Sequence, residues 1–162
     1  MEETKLDNQI LSVAKELLEK VGFEAEVKLV ENSFEVGALP VVSIESEKDL
    51  SILIGKNGQN LNALEHIIRL IAFRRVGGPE QKIPNFAVDI NDYRKSRSRY
   101  ILDLAKSAAS RVINTQRAEA LAPMSSYERR LVHTELASYK EVLTESIGEE
   151  PRRRIVIKPL VI

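Results

Sequence analysis

Two short runs hold the residues whose types and spacing could do chemistry. The first is Gly55-Lys56-Asn57-Gly58, followed by Gln59. Two glycines three apart permit a tight turn with no Cβ to obstruct a ligand's approach. Lys56 supplies a point charge, Asn57 supplies donors and acceptors, and the helix expected to start beyond Gly58 offers free N–H groups and a positive dipole end. Together these describe a loop able to hold a phosphate. The loop lies between two apolar helical segments and not after a strand, so neither a Walker A loop nor a dinucleotide-binding turn fits. A plain helix–helix turn is the alternative reading of the same four residues.

The second run contains Arg129, Arg130 and His133. Arg129 and His133 are four apart, so on a helix they share a face and border the apolar stripe, each expected to present its polar head at the rim. Arg129 can grip a phosphate bidentately or stack on a base, and Arg130 adds charge. His133 can donate a hydrogen bond when neutral or gain charge beside phosphates. Arg152, Arg154 and Lys158 are expected on one face of a final strand, extending the basic surface, with Arg153 pointing the other way. Ordinary solvated side chains are the competing reading for all of these.

Nothing in either run reads as catalysis. His133 with Glu128 or Glu135 could form an acid/base set, but Glu135 is two residues away and points to a different face. His66 lies with Gln59, Asn62 and Arg69 on a polar helix side and reads as solvated. The chain has no Cys, and no His–carboxylate spacing suggests a metal site. The expectation is therefore a non-enzymatic protein with no metal and no cofactor. With four Tyr, four Phe and no Trp, aromatic stacking is not expected to be the main means of holding bases.

The elements that must position these residues follow from hydrophobic periodicity. Ile10, Leu11, Val13, Ala14, Leu17 and Leu18 mark a helix over 5–20, stopped by Gly22. Strands are expected from Phe23 to Leu29 and over 40–46, separated by Asn32-Ser33, Gly37 and Pro40. A short helix over 49–54 runs into the glycine loop. Leu61, Leu64, Ile67, Ile68, Ile71 and Ala72 mark a long helix ending before Gly77-Gly78-Pro79, and Phe86, Val88 and Ile90 mark a third strand. Residues 1–91 thus read α-β-β-α-α-β.

From Tyr93 to about Ala118 a long helix buries Ile101, Leu104, Ala105, Ala108 and Val112 and turns Lys95, Arg99, Lys106 and Arg117 outward. Ser125-Ser126-Tyr127-Glu128 is a capping box. It opens a helix expected to reach Lys140 and to bury Val132, Leu136 and Tyr139. Residues 142–147 and 152–158 read as a hairpin around Gly148-Glu149-Glu150-Pro151. The second unit, 92–162, reads α-α-β-β, and the fold class is α+β.

The chain has 162 residues, 30% charged and 43% hydrophobic, with a formal net charge of zero, which is globular composition. That neutrality hides a net of −7 over residues 1–50, +6 over 51–120 and +1 over 121–162. An acidic first segment and a basic stretch containing the glycine loop are consistent with a nucleic-acid surface placed on one part of the molecule. No apolar run suffices for a membrane helix. Met1-Glu2-Glu3 is unlike a basic signal-peptide start, and a cytoplasmic protein with no membrane insertion is expected.

The element order and the run Ile54-Gly55-Lys56-Asn57-Gly58-Gln59-Asn60-Leu61-Asn62-Ala63-Leu64 resemble a type II KH domain, whose loop clamps the backbone of about four nucleotides. In such domains an apolar groove beside the loop accepts bases. Leu53, Ile54, Leu61 and residues from Val41 to Ile44 are its candidates here, and each could equally be core. The run Pro123-Met124-Ser125-Ser126-Tyr127-Glu128-Arg129-Arg130-Leu131-Val132-His133 resembles the signature of the R-three-H domain. The two in this order resemble the bacterial Jag (KhpB) family.

That resemblance implies single-stranded RNA binding, with Arg129 and His133 contributing to the binding face. It also implies a post-transcriptional or RNA-chaperone role linked to cell envelope or division control. Longer family members carry an extra N-terminal domain, so a short form is expected here. The alternatives are a protein–protein adaptor, pairing with itself or a small KH-only protein, and a mainly single-stranded-DNA binder.

Overall fold

The computed structural model describes residues 2–31, 39–76 and 85–160. Asn32-Ser33, Gly37 and Gly77-Gly78-Pro79, expected as turns, lie outside them. The chain forms two compact units, Met1–Arg94 and Lys95–Ile162.

In the first unit, helix α1 (Glu2–Val21) buries Ile10, Val13, Ala14 and Leu18 at helical spacing. Gly22 ends it at φ 88°, with the Phe23 N–H on the Leu18 carbonyl at 2.9 Å and the Gly22 N–H on the Glu19 carbonyl at 3.0 Å. These are the two bonds of a Schellman cap. Strand β1 (Glu26–Glu31) begins later than the alternation from Phe23 predicts, and pairs antiparallel with β2 (Pro40–Glu45). Strand β3 (Ala87–Ile90) pairs parallel with β2, so the sheet order is β1-β2-β3.

A parallel pair needs a crossover, and here it consists of α2 (Ser51–Ile54), a 3-10 turn (Lys56–Gly58) and α3 (Gln59–Val76). The core joins the α1 stripe to Val42, Ile44, Val88 and Ile90 of the sheet and to Leu61, Leu64, Ile68 and Ala72 of α3.

Helix α4 (Tyr93–Thr115) starts in the first unit and continues into the second. Asn91 and Asp92, at φ 48° and 55°, turn the chain from β3 into α4 without a linker. Asn91 accepts the Ser46 N–H at 3.1 Å and donates to the Ser46 carbonyl at 3.0 Å. Arg94 is tied back by its Nε on the Val88 carbonyl at 2.9 Å and by Glu65 at 2.9 Å. The compact division therefore falls after Arg94, inside the helix, where periodicity places a boundary at Asn91.

In the second unit α4 buries Ile101, Ala105, Ala108, Ala109 and Val112, and Leu104 is only partly buried. It stops at Thr115 because Gln116 is left-handed at φ 53°, so Arg117, expected on the helix, lies beyond it. Strand β4 (Glu119–Ala120), helix α5 (Ser126–Leu136) and strands β5 (Val142–Ile147) and β6 (Arg154–Pro159) follow. Their antiparallel sheet has the order β4-β6-β5. Helix α5 ends at Leu136 and not at Lys140, because Tyr139 folds its N–H back onto the Leu136 carbonyl at 3.0 Å. Val132 and Leu136 are core, and Tyr139 packs against it.

Candidate nucleic-acid interface

The glycine loop is built by backbone geometry that its two glycines and its asparagine suit. Gly55 has φ 69° and ψ −178°, a region open essentially to glycine alone. Asn57 follows in the left-handed region at φ 55°, which asparagine tolerates. Gly58 is buried at φ 78°, and a Cβ there would stand 3.0 Å from the Tyr93 ring. Lys56, Asn57 and Gln59 are exposed, so the charge and the amides of this run reach solvent together.

Two expectations change. The N–H of Gly58 is bonded to the Gly55 carbonyl at 3.3 Å and that of Gln59 to the Lys56 carbonyl, so these two amides close the turn and do not wait for a phosphate. The groove candidates also differ from one another. Val41, Val42, Ile44 and Leu61 are buried, while Leu53 and Ile54 are only partly buried beside the loop. Just before α2, the Ser51 N–H donates to Asp49 at 2.8 Å and holds that carboxylate below its usual range.

Beyond the loop, Arg69 is committed to the fold. It donates to the Phe86 carbonyl at 2.6 Å and to Glu65 at 3.1 Å.

In the second unit the capping box forms as expected. Ser125 Oγ accepts the Glu128 N–H at 3.3 Å, and Glu128 accepts the Ser125 N–H at 2.7 Å. This fixes the first turn of α5 and with it Arg129. The Arg129 side chain, however, is not at the rim. It is only 8% exposed, with Nη1 donating to the Met124 carbonyl at 2.8 Å and Nη2 paired with Glu150 at 2.8 Å. It fastens the start of α5 to the turn between β5 and β6.

His133 is half-buried, with Nδ1 2.7 Å from the Thr144 hydroxyl of β5. That bond fixes the ring and leaves Nε2 as the nitrogen through which it could meet a ligand. Arg130 is exposed.

The basic residues of the hairpin are arranged differently from a simple alternation. Arg152 is exposed in the turn, ahead of the strand, and its N–H is bonded to the Glu149 carbonyl at 2.8 Å. Arg154 is exposed at the first position of β6, opposite Ile147. Lys158 is ion-paired with Glu145, and Arg153 donates to Ser146 at 3.1 Å. Within this unit the structure brings Arg129 to the hairpin turn through Glu150 and His133 to β5 through Thr144. Periodicity could not reveal either contact, since both partners are distant in sequence.

Among the described residues, no group of three His, Cys, Asp or Glu side chains could hold a metal ion. No described helix is long and apolar enough to cross a membrane.

A model of the R-three-H domain matches residues 99–159, the stretch that contains the capped helix and the hairpin. The chain is 38% identical over 109 residues to RNA-binding protein KhpB of Clostridium symbiosum, covering 67% of this chain and 47% of that protein. It is equally 38% identical over 109 residues to RNA-binding protein KhpB of Bacillus subtilis (strain 168), covering 66% and 50%. RNA-binding protein KhpB of Streptococcus pneumoniae serotype 2 is 28% identical over 105 residues, covering 65% and 31%. These matches span half or less of the relatives' own lengths. Taken with the capped Arg-x-x-x-His helix and the sheet it packs on, they show that the chain belongs to the Jag/KhpB family.

Proposed function

We propose that this chain is a non-catalytic, cytoplasmic binder of single-stranded RNA, with a type II KH domain over residues 1–91 and an R-three-H domain over 92–162. The observation that carries the reading is the glycine loop. Its backbone is held rigid by internal bonds while Lys56, Asn57 and Gln59 project from it, which suits a clamp on a phosphate backbone. The α-β-β-α-α-β order with a β1-β2-β3 sheet supports the KH assignment, and the relatives named RNA-binding protein KhpB support RNA as the ligand. In the second domain Arg130, Arg152 and Arg154 supply exposed charge, and His133 offers one nitrogen at the rim. Arg129 acts mainly by holding the turn that carries Arg152. A role in post-transcriptional control or RNA chaperoning, linked to the cell envelope or division, belongs to the same reading.

Phosphate contacts by Lys56, Arg130, Arg152 and Arg154 give, for about four contacts on a single strand, a log–log salt slope near −3. Affinity for a short RNA pool is then expected to fall on the order of 50-fold between 50 and 200 mM salt. Replacing Lys56 and Asn57 with Asp should abolish binding without altering the melting temperature, because Asp also tolerates the left-handed position. Salt-independent binding, or full affinity in that variant, removes the loop from the site. Competition between RNA and DNA strands of one sequence decides which is preferred.

One observation favours a second reading, protein pairing through the first domain. Ile67, Leu70 and Phe73 of α3 are exposed. Sizing chromatography with and without nuclease separates the two, since only an RNA-bridged complex dissolves on nuclease treatment.

A further inference from the structure

Apart from the loop and the Arg129–His133 helix turn, the second unit carries an aromatic ring that its core does not use. Tyr100 of α4 is 57% exposed, next to the fully packed Ile101. One helical turn earlier, the Arg97 guanidinium lies over the Tyr100 ring, 5.5 Å from its centroid.

Arg97 is itself held in place. Its Nε donates to Glu128 Oε1 at 2.7 Å, and the two side chains are only 21% and 8% exposed. The other oxygen of Glu128 accepts the Ser125 N–H in the capping box. A single carboxylate therefore caps α5 and fixes the cation that flanks the ring.

This arrangement has the properties a nucleobase site needs. A tyrosine restrained by a fixed guanidinium on one side loses little conformational freedom on binding. More than half of the residue's surface remains open to solvent. Every base presents a π-face, so stacking is tolerant of sequence and strong per base. From Lys95 to Tyr100 the helix carries three bases and no acid, Lys95, Arg97 and Arg99, of which Arg97 is paired with Glu128, while Lys106 and Arg111 further along are paired with Glu135 and Glu119.

We propose that Tyr100, backed by Arg97, is a stacking site for one unpaired nucleobase of the bound strand. The inference rests on the single-stranded RNA reading and adds a base contact to what is otherwise a phosphate-binding surface. One ring serves one base, so it does not make stacking the main means of capture.

The chain has no Trp, so Y100W introduces a single indole at the proposed contact. Titrated with a ten-nucleotide single-stranded RNA pool, Y100W emission should be quenched with the midpoint that filter retention gives for the same variant. Y100A should bind about tenfold more weakly with an unchanged melting temperature, and Y100F should bind like the unmodified protein. On an oligonucleotide of abasic sugar–phosphate, Y100A and the unmodified protein should bind equally. If filters retain RNA but Y100W emission does not change and Y100A keeps full affinity, the stacking site is wrong and the RNA reading stands. If the unmodified protein retains no RNA, the RNA reading falls and takes this site with it.

Discussion

Asn60 occupies the space that a side chain on Gly55 would need. A Cβ at Gly55 would lie 2.5 Å from Asn60 Cγ and 2.9 Å from Asn60 Cβ. Asn60 uses that room to donate Nδ2 to the Ile52 carbonyl at 2.7 Å, joining α3 to α2 across the loop. Glycine is thus demanded twice at position 55, by its backbone angles and by its neighbour. The sequence pattern suggests glycines kept bare for a ligand; the structure shows that the fold itself needs them bare.

Gly55→Ala is therefore expected to cost about 2–3 kcal/mol, from backbone strain together with the clash. Urea unfolding measures it. Adding Asn60→Ala should cost less in the G55A background than in the unmodified protein, because the clash has then been removed. An unchanged urea midpoint for G55A would show that the loop is not strained in this way.

Arg129 and Arg130 should separate stability from binding. Arg129→Ala leaves the Met124 carbonyl without its donor, at a cost of about 1–3 kcal/mol. Glu150 is 60% exposed and is readily solvated when unpaired, so the ion pair itself adds little. Arg130→Ala should leave stability within about 0.5 kcal/mol and weaken RNA binding severalfold. Thermal melting and filter binding on both variants check this. Equal melting of R129A and the unmodified protein would show that Arg129 does not fasten the hairpin turn.

Asn91→Ala tests the junction between β3 and α4. It removes both bonds to Ser46 and leaves alanine at a left-handed position, at a cost of about 1–2 kcal/mol. Asn91→Gly should restore the backbone part of that loss only. If the alanine and glycine variants unfold at the same urea concentration, backbone conformation contributes nothing here.

Much of this architecture is local and therefore legible from sequence. The capping box at Ser125 and Glu128, the stop at Gly22 and the alternation around Val88 and Ile90 each depend on residues a few positions apart. What escapes is set at long range. Arg129 looks like a rim residue until Glu150, brought close by the hairpin, pairs with it. Strand β4, with two residues, has no period to read and exists because β6 pairs with it. The apolar residues near the loop cannot be sorted by type into groove and core, since Leu61 is buried and Leu53 only partly so although both are leucines. The Tyr100 site depends on Glu128 using its two oxygens on two different elements, which no spacing rule encodes.

Acid should act in opposite directions on two carboxylates. Arg111 donates to Glu119 through Nε at 3.0 Å and Nη2 at 2.7 Å, and this holds Glu119 below the usual carboxylate range. Its folded form binds the proton less readily than its unfolded form, so its contribution is present above the ordinary value and is lost as pH falls through the depressed one. Asp89 is the reverse. Burial raises it, against the N–H groups of Arg94 and Ile90 that donate to its Oδ1 at 3.1 and 2.9 Å. Its charge weakens the fold once pH rises above the ordinary value, and protonation on acidification relieves that. Asp89→Asn keeps Oδ1 as the acceptor and removes the buried charge. It should therefore raise the urea midpoint at pH 7 and make the fall in stability towards pH 3.5 steeper. Glu119→Gln should lower the midpoint at pH 7 and make that fall shallower. Urea unfolding at pH 7, 5, 4 and 3.5 reads both, and a D89N midpoint at pH 7 equal to or below that of the unmodified protein would mean that burial does not govern this group.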